Sequence, residues 1–513
     1  MSLTQMSARE RGWSTVAEPV ERPSTEPSGT PGGTIAARPG VRGAVNDWRF
    51  TAVSAVVGLA LAAGAVLAAG PWDSGQRKAE RDRATAAGRT GGAHHDGGDP
   101  EGPAPAPRAP AVLAALSAAG TGTGAKNAPA GATRDLPAVL DPLLKNDALG
   151  TRRAAVVIDT ATGVRLYGKG ADAPMTPAST VKIATTVAAL GALGPAHRIP
   201  TTVRASDDLR TVTLVGGGDP TLDKAALRAL ATETARALKT AKAPSVRLRY
   251  DASAYSGPAH HPIGPNENIA PMSALMLNEG RLDDSAKGPA PRSEDPAGDA
   301  ARAFAGYLDD AGVTTKGAPA PGRAAEKSRT VATHLSAPLS GLVERALTNS
   351  DNDIAEALAR QTAIAAGQPA DFKGGRRAVT ARLKKLGLPL KGVNIADGSG
   401  LDRKDKVTAA LLAGLLARAA DPAHPELRPV LTGLPVAGFS GTLSSRYTAR
   451  AGGTGFIRAK TGTLTGVNSL AGTVVDTRGR LLAFAFLASG TTAPAEAQKA
   501  LDALATALGA GRR

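Results

Sequence analysis

Pro177-Ala178-Ser179-Thr180-Val181-Lys182-Ile183-Ala184-Thr185-Thr186-Val187-Ala188-Ala189-Leu190 is the stretch on which the reading of this 513-residue chain turns. From Ser179 to Leu190 it is apolar on nearly every face, and such a helix belongs inside a domain rather than on its surface. Within it stands Ser179-Thr180-Val181-Lys182, the one place where a Ser is followed three residues later by a Lys. On a helix that spacing puts the two side chains on one face, a turn apart. A serine hydroxyl is a poor nucleophile near neutral pH and needs a base within hydrogen-bond reach. A lysine serves when burial or a second cation lowers its pKa. A buried helix start, with Pro177 before it, supplies that desolvation. Taken alone, the pair also reads as two ordinary helix residues.

Two further motifs follow. Ser350-Asp351-Asn352 heads a helical face of Ile354, Ala355, Ala357 and Leu358, and each of its residues is also a good helix cap. Lys460-Thr461-Gly462-Thr463 opens the last strands, Gly466–Asp476 and Arg480–Ser489, joined through Thr477-Arg478-Gly479. A closing helix, Ala493 to Leu508, carries Ala497, Ala500, Leu501, Leu504 and Leu508 at helical spacing. Near the front, Ala154–Asp159 and Val164–Tyr167 read as a hairpin about Thr162-Gly163. Strands and helices at both ends predict one α/β sheet built from the two termini of the region.

Ser-x-x-Lys, Ser-x-Asn and Lys-Thr-Gly, in that order, mark the penicillin-interacting serine enzymes. Over roughly residues 136–513 the chain resembles the low-molecular-mass (class C) penicillin-binding proteins, serine-type D-alanyl-D-alanine carboxypeptidases and endopeptidases with an inserted domain. Leu214–Leu222 (LVGGGDPTL), Pro271–Leu275 (PMSAL), Asp397–Leu401 (DGSGL), Leu434–Gly438 (LPVAG) and Asn468–Gly472 (NSLAG) are similar to that subclass as well. The resemblance implies a penicillin-binding/β-lactamase-like transpeptidase fold, α/β (α+β), with an antiparallel sheet flanked by helices. It implies Ser179 as nucleophile, Lys182 as its base, and Ser350 as the relay of a proton to the leaving amine. Asn352 would bind the substrate backbone, and Lys460, Thr461 and Thr463 its carboxylate, with Gly462 between them. The N–H groups of Ser179 and Thr463 would form the oxyanion hole. The expected partners are peptidoglycan stem peptides ending in D-Ala-D-Ala and β-lactam antibiotics; no metal or other cofactor is called for.

The rest of the chain fits around this. Lys182 and Ser350 are separated by 167 residues, so part of the interval must fold separately. The division reads as a catalytic domain at 136–205 plus 330–513 and an insert at 206–329, with strands Val212–Val215 and Val246–Tyr250. Within the insert, His260-His261 reads as a surface pair. Gly216-Gly217-Gly218 reads as a tight turn, because it lacks the Lys-Ser/Thr of a phosphate loop.

Zero cysteines exclude a disulfide framework, a thiolate nucleophile and Cys-ligated metal sites. Aromatics at 3% argue against a single-strand nucleic-acid binder. The formal charge of +16 fits an anionic partner without choosing one; with the motifs in hand it suits an anionic wall. Residues 1–49 read as a disordered cytoplasmic tail. Phe50 to Gly70 gives 21 residues without a charge between Trp48 and Trp72, the length and flanks of a transmembrane anchor or signal-anchor. A Pro/Ala/Gly-rich linker, 71–135, follows and contains His94-His95-Asp96, a poor metal site on a flexible spacer. The expectation is a single-pass protein of the cell membrane with its catalytic domain on the cell-wall side. Arg77, Lys78, Arg81, Arg83 and Arg89 beyond the span run against positive-inside counting, but long domains translocate largely regardless of such charge. Two other functions share parts of this pattern. A serine β-lactamase would need a deacylating Glu; Pro425-Glu426-Leu427 stands too far beyond Asn352, with Val430 where an Asn is expected. A non-catalytic penicillin-binding scaffold would not need every motif residue intact.

Overall fold

Burial on both faces of the end strands is what places the catalytic sheet. The computed structural model describes residues 135–447 and 452–509; the tail, the candidate span 50–70 and the spacer with His94-His95-Asp96 lie outside the described residues. Among those described, no helix is long and apolar enough to cross a membrane. In chain order the elements are α1 (Leu136–Leu144), β1 (Arg152–Asp159), β2 (Arg165–Lys169), α2 (Lys182–Leu193), β3 (Pro200–Ala205), β4 (Thr211–Gly216), α3 (Lys224–Thr240) and β5 (Ser245–Asp251). Then come α4 (Pro296–Asp310), the short β6 (Thr314–Thr315) and β7 (Ala320–Pro321), β8 (Arg329–Leu335), α5 (Leu339–Thr348), α6 (Asn352–Ala365), α7 (Phe372–Lys385) and α8 (Ala409–Ala420). Strands β9 (Ile457–Leu464), β10 (Val467–Val475) and β11 (Leu481–Ser489) precede the closing helix α9 (Pro494–Gly509).

The first sheet runs β2-β1-β11-β10-β9 and is antiparallel throughout. Its central pair joins the two ends of the region, Arg152 facing Ser489 and Asp159 facing Leu482. Successive residues of a strand point to opposite faces, and here both faces are covered. Ala154, Val156, Ile158, Ala483, Ala485 and Leu487 enter one core with α2, α5 and α8. Ala155, Val157, Leu482, Phe484 and Phe486 enter the other, against α1 and α9. The Phe484 and Phe486 rings stack at 5.1 Å. Two-sided burial is why these strands read as continuous apolar runs rather than alternating ones. This is the mixed α/β arrangement expected, an antiparallel sheet flanked by helices.

Helix α2 crosses the first core with every residue from Lys182 to Leu190 buried. Its entry differs from a continuous helix over Ser179–Leu190. Ala178–Val181 form a 3₁₀ turn, and the α-helix begins only at Lys182.

A second, six-stranded sheet runs β6-β5-β4-β3-β8, with β7 also on β5. Helices α3 and α4 cover it through Leu227, Leu230, Phe304 and Leu308. Strands β3 and β8 pair with each other, Thr201 facing His334. The second sheet therefore starts before 206 and ends after 329, because strand pairing rather than composition closes it. At the triple glycine, a Cβ on Gly216 or Gly217 would run into the main chain of Ala274 or Pro200. Close backbone crossing is what the smallness serves there.

Candidate active site

Ser179 sits in the 3₁₀ turn, and that local geometry sets its relation to Lys182. With three residues per turn, side chains at i and i+3 eclipse. Lys182 Nζ accordingly donates to Ser179 Oγ at 3.1 Å. The same ammonium donates to Asn352 Oδ1 at 2.7 Å and to the Ser399 carbonyl at 2.6 Å. Lys182 is fully buried. Burial pushes its pKa down to about 8, against the opposing pull of Asp397, Asp351, Glu356 and Asp405. A buried amine with a titration point close to neutrality, in contact with a hydroxyl, can act as its general base.

The Ser350-Asp351-Asn352 motif forms the entrance of α6. Asp351 caps that helix, its carboxylate accepting from Ile354 N at 3.0 Å. Capping and site-building are thus both true of this motif. Ser350, immediately outside the helix, holds φ of 60°, a left-handed conformation uncommon for a residue with a side chain. Among the described residues no hydrogen bond joins the Ser350 hydroxyl to Ser179, Lys182 or Lys460. Asn352 turns its amide oxygen to Lys182 and its NH₂ to the Asn268 carbonyl at 2.9 Å. The chain around Asn268 comes from the interval between the two motifs and lies against the site.

Strand β9 forms the opposite wall. Gly462 is required there: a Cβ would stand 2.6 Å from the Pro177 carbonyl and 3.2 Å from Ala178 Cβ. The strand thereby packs directly on the turn that carries Ser179. Ser469 on β10 reinforces the join, donating to Pro177 O at 2.6 Å and lying 3.3 Å from Thr180 Oγ1. Lys460 is fully buried and donates to the Thr461 carbonyl at 2.7 Å. Its pKa is held well below the ordinary lysine value by burial first, then by Lys182 and Arg446. Thr461 donates to Thr442 Oγ1 at 2.9 Å, while Thr463 is exposed. Two buried amines close enough for Lys182 to lower the pKa of Lys460 cannot both stay charged cheaply.

A third wall was missed as a functional element. The Asp397–Gly400 turn lies under Lys182 and Ser179: a Cβ on Gly400 (φ +87°) would hit the Ala178 carbonyl and stand 3.0 Å from Ser179 N. His261, expected on the surface, is buried with its Nε2 at 2.9 Å from Asp397 Oδ2. Only His260 of that pair is exposed. The correction has a simple cause: a charge-bearing loop folds inward when a buried carboxylate awaits it, and no periodicity announces that.

Two groups could bring three ligand atoms to one cation, His261/Glu356/Asp397 and Glu279/Asp351/Asp353. In the first, Asp397 accepts from Gly400 N and Asp402 N, and Glu356 from Gly398 N and Ser399 N and pairs with Arg360. In the second, Arg281 and Arg345 hold Glu279 and Arg292 holds Asp353. Protein cations and N–H groups fill the first set; in the second, Asp351 Oδ2 and Asp353 Oδ2 accept no hydrogen bond among the described residues, and the nearest cations are Arg292 at 3.0 Å from Asp353 and Arg345 at 4.0 Å from Asp351. Glu426, the residue weighed for a deacylating role, pairs with His424 Nδ1 at 3.1 Å.

The profile of the D-Ala-D-Ala carboxypeptidase 3 (S13) family matches residues 136–291 and 283–508. Carboxypeptidase Rv3627c of Mycobacterium tuberculosis is 38% identical over 427 residues, 79% of this chain and 89% of that one. The D-alanyl-D-alanine carboxypeptidase of Actinomadura sp. R39 is 30% identical over 443 residues, 69% of this chain and 81% of its own. In three dimensions the chain is similar to penicillin binding protein 4 (dacB) from Haemophilus influenzae. The TM-score is 0.61 at 22% identity, over 73% of this chain and 98% of that one.

Proposed function

The chain belongs to the D-Ala-D-Ala carboxypeptidase 3 (S13) family, and on that premise we propose how its residues perform serine peptidase chemistry on peptidoglycan stem peptides. Ser179 Oγ attacks the carbonyl carbon of the penultimate D-alanine. Lys182 Nζ takes the hydroxyl proton as the new C–O bond forms. The observation that carries this reading is the 3.1 Å contact between a buried, depressed lysine and the serine hydroxyl. Ser350 relays the proton held by Lys182 to the amine of the departing D-alanine as the C–N bond breaks, taking one from Nζ as it gives its own. The N–H groups of Ser179 and Thr463 receive the developing oxyanion. Water then hydrolyses the ester, returning the serine proton. A β-lactam follows the same first step and stays attached.

Substrate recognition falls to Asn352 for the peptide backbone and to Lys460, Thr461, Gly462 and Thr463 for the terminal carboxylate. The arriving carboxylate favours a proton on Lys460. A charged Lys460 in turn favours a neutral Lys182, so binding primes the base. Mass spectrometry of cell-wall muropeptides incubated with the protein tests the reading. Loss of one alanine from pentapeptides, conversion of cross-linked dimers to monomers, or both, is expected. Unchanged muropeptides would sink it.

Residues 50–70 are proposed as a membrane anchor that leaves the peptidase on the cell-wall side. Support comes from 21 uncharged residues between Trp48 and Trp72 and from a substrate that lies outside the membrane. The full-length protein is expected to sediment with membranes, and its catalytic region to be cut by protease added from outside. Recovery in the soluble fraction would refute this.

A further inference from the structure

Behind the site, three elements converge on one turn. His261 arrives on the loop between β5 and α4, Glu356 projects from α6, and Asp397–Gly400 closes the loop between α7 and α8. Asp397 Oδ2 meets His261 Nε2 at 2.9 Å and accepts from Asp402 N at 2.7 Å; Oδ1 accepts from Gly400 N at 2.6 Å. Glu356 Oε1 accepts from both Gly398 N and Ser399 N at 2.9 Å. The turn so fixed offers the Ser399 carbonyl to Lys182 at 2.6 Å and rests Gly400 on Ser179. His261 has its own alignment. Its Nδ1 accepts from Ile263 N at 3.3 Å, which assigns a proton to Nε2, toward Asp397. The Phe372 ring meets the imidazole edge to face at 5.2 Å.

We propose that His261 is a positioning residue for the catalytic lysine, acting through Asp397 on the Gly398–Gly400 turn that holds Lys182 Nζ and backs Ser179. The inference rests on Lys182 being the base. Three side chains and a ring contact are buried to aim one carbonyl at one ammonium, which packing alone does not require.

The electrostatics give the proposal a sign. Around His261 stand Asp397, Glu356, Asp402 and Asp405, with Arg360 lying over the Phe372 ring. Burial opposes charge on the imidazole, but Asp397, Glu356 and Asp402 outweigh it and raise its pKa. Burial alone would raise Asp397; His261 and Asp405 reverse this and hold it down at about 2. Lys182 feels the charges of Asp397, Asp351, Glu356 and Asp405, which favour its proton, and acts on Lys460, whose pKa it lowers. Removing the His261 donor leaves the Asp397 charge less compensated, which favours the protonated lysine. Removing the Asp397 charge does the reverse.

The test is the rate of acylation by a fluorescent penicillin as a function of pH, with unfolding midpoints recorded for each variant. Wild type should lose rate as pH falls below about 8. His261→Leu should move that limb up by about one unit, a loss of about tenfold near neutrality, and Asp397→Asn should move it down by a similar amount. His261→Gln, which keeps an N–H for Asp397, should restore most of the rate. Opposite shifts from the two ends of one hydrogen bond are not what a merely destabilised fold produces. If either variant fails to fold, the other still carries its sign. Lys182→Met separates the two layers. Should it acylate normally, the catalytic reading fails; should it be inert while the folded variants keep the wild-type limb, only the role of His261 fails.

Discussion

Lys182→Met will acylate at least about a thousandfold more slowly than wild type while unfolding at nearly the same denaturant concentration. The first half follows from the chemistry. A positioned general base contributes about 10² to 10⁴ in rate, and groups acting as a unit lose most of their effect together. Methionine keeps the length of the side chain and removes the proton acceptor 3.1 Å from Ser179 Oγ. The second half is a near cancellation. Depression of the pKa from 10.5 to about 8 in a fully buried group corresponds to about 3 kcal/mol of destabilisation by the charged form. Methionine relieves it. Against that, the Ser399 carbonyl and Asn352 Oδ1 lose their donor, at about 1–3 kcal/mol each.

The sign with pH can be worked out. The unfolded chain binds the lysine proton below about 10.5, whereas the folded chain binds it only below about 8. Between those values the unfolded state holds more protons, so wild-type stability falls as pH falls. The variant lacks that slope and gains on wild type from pH 10.5 down to 8, then runs parallel. Urea melts at several pH values, beside the penicillin-labelling rate, check both halves. A variant acylating within tenfold of wild type would remove Lys182 from its assigned role.

Gly400→Ala is the second large effect, expected to lower acylation about a hundredfold and stability by about 2–4 kcal/mol. Two costs combine. At φ +87° an added Cβ meets left-handed strain of about 1–2 kcal/mol. It also meets the Ala178 carbonyl, which is main chain and cannot rotate aside, an overpacking of about 1–3 kcal/mol. Relief can come only by shifting the turn that carries Ser179. A displacement near 1 Å costs about a hundredfold in rate. Gly163, at φ +70° with open space around it, is the matched control: its alanine variant should show the backbone strain and keep the rate. Equal labelling rates for the two variants would show that Gly400 does not support the nucleophile.

The chemistry of this site was more legible than its support. Ser179 and Lys182 stand three residues apart in one turn, so spacing alone pointed to their contact, and the second motif supplied Asn352, which meets Lys182. The end strands announced themselves because burial on both faces leaves continuous runs such as Leu481–Leu487. What escaped depends on long-range packing. His261 sits in a Pro- and Gly-rich loop without periodicity, and its partner Asp397 is 136 residues away. Strand β3 pairs with β8 across more than a hundred residues, a contact that leaves no local mark in the sequence. The 3₁₀ turn at Ala178–Val181 packs against β9 at Gly462 and against the Gly400 turn, neighbours that its own residues do not announce.

The pairing of β1 with β11 also governs when the enzyme comes into being. Ribosomes deliver Ser179 and Lys182 hundreds of residues before Leu481–Ser489, the strand that lies between β1 and β10. Until that strand docks, β9 and its Lys460 have no sheet to join, and the nucleophile lacks its opposite wall. Non-local pairings of this kind form late and together. A chain without Leu481–Ser489 would hold Ser179 and Lys182 but lack the strand that ties β10 and β9, and with them Lys460, to β1.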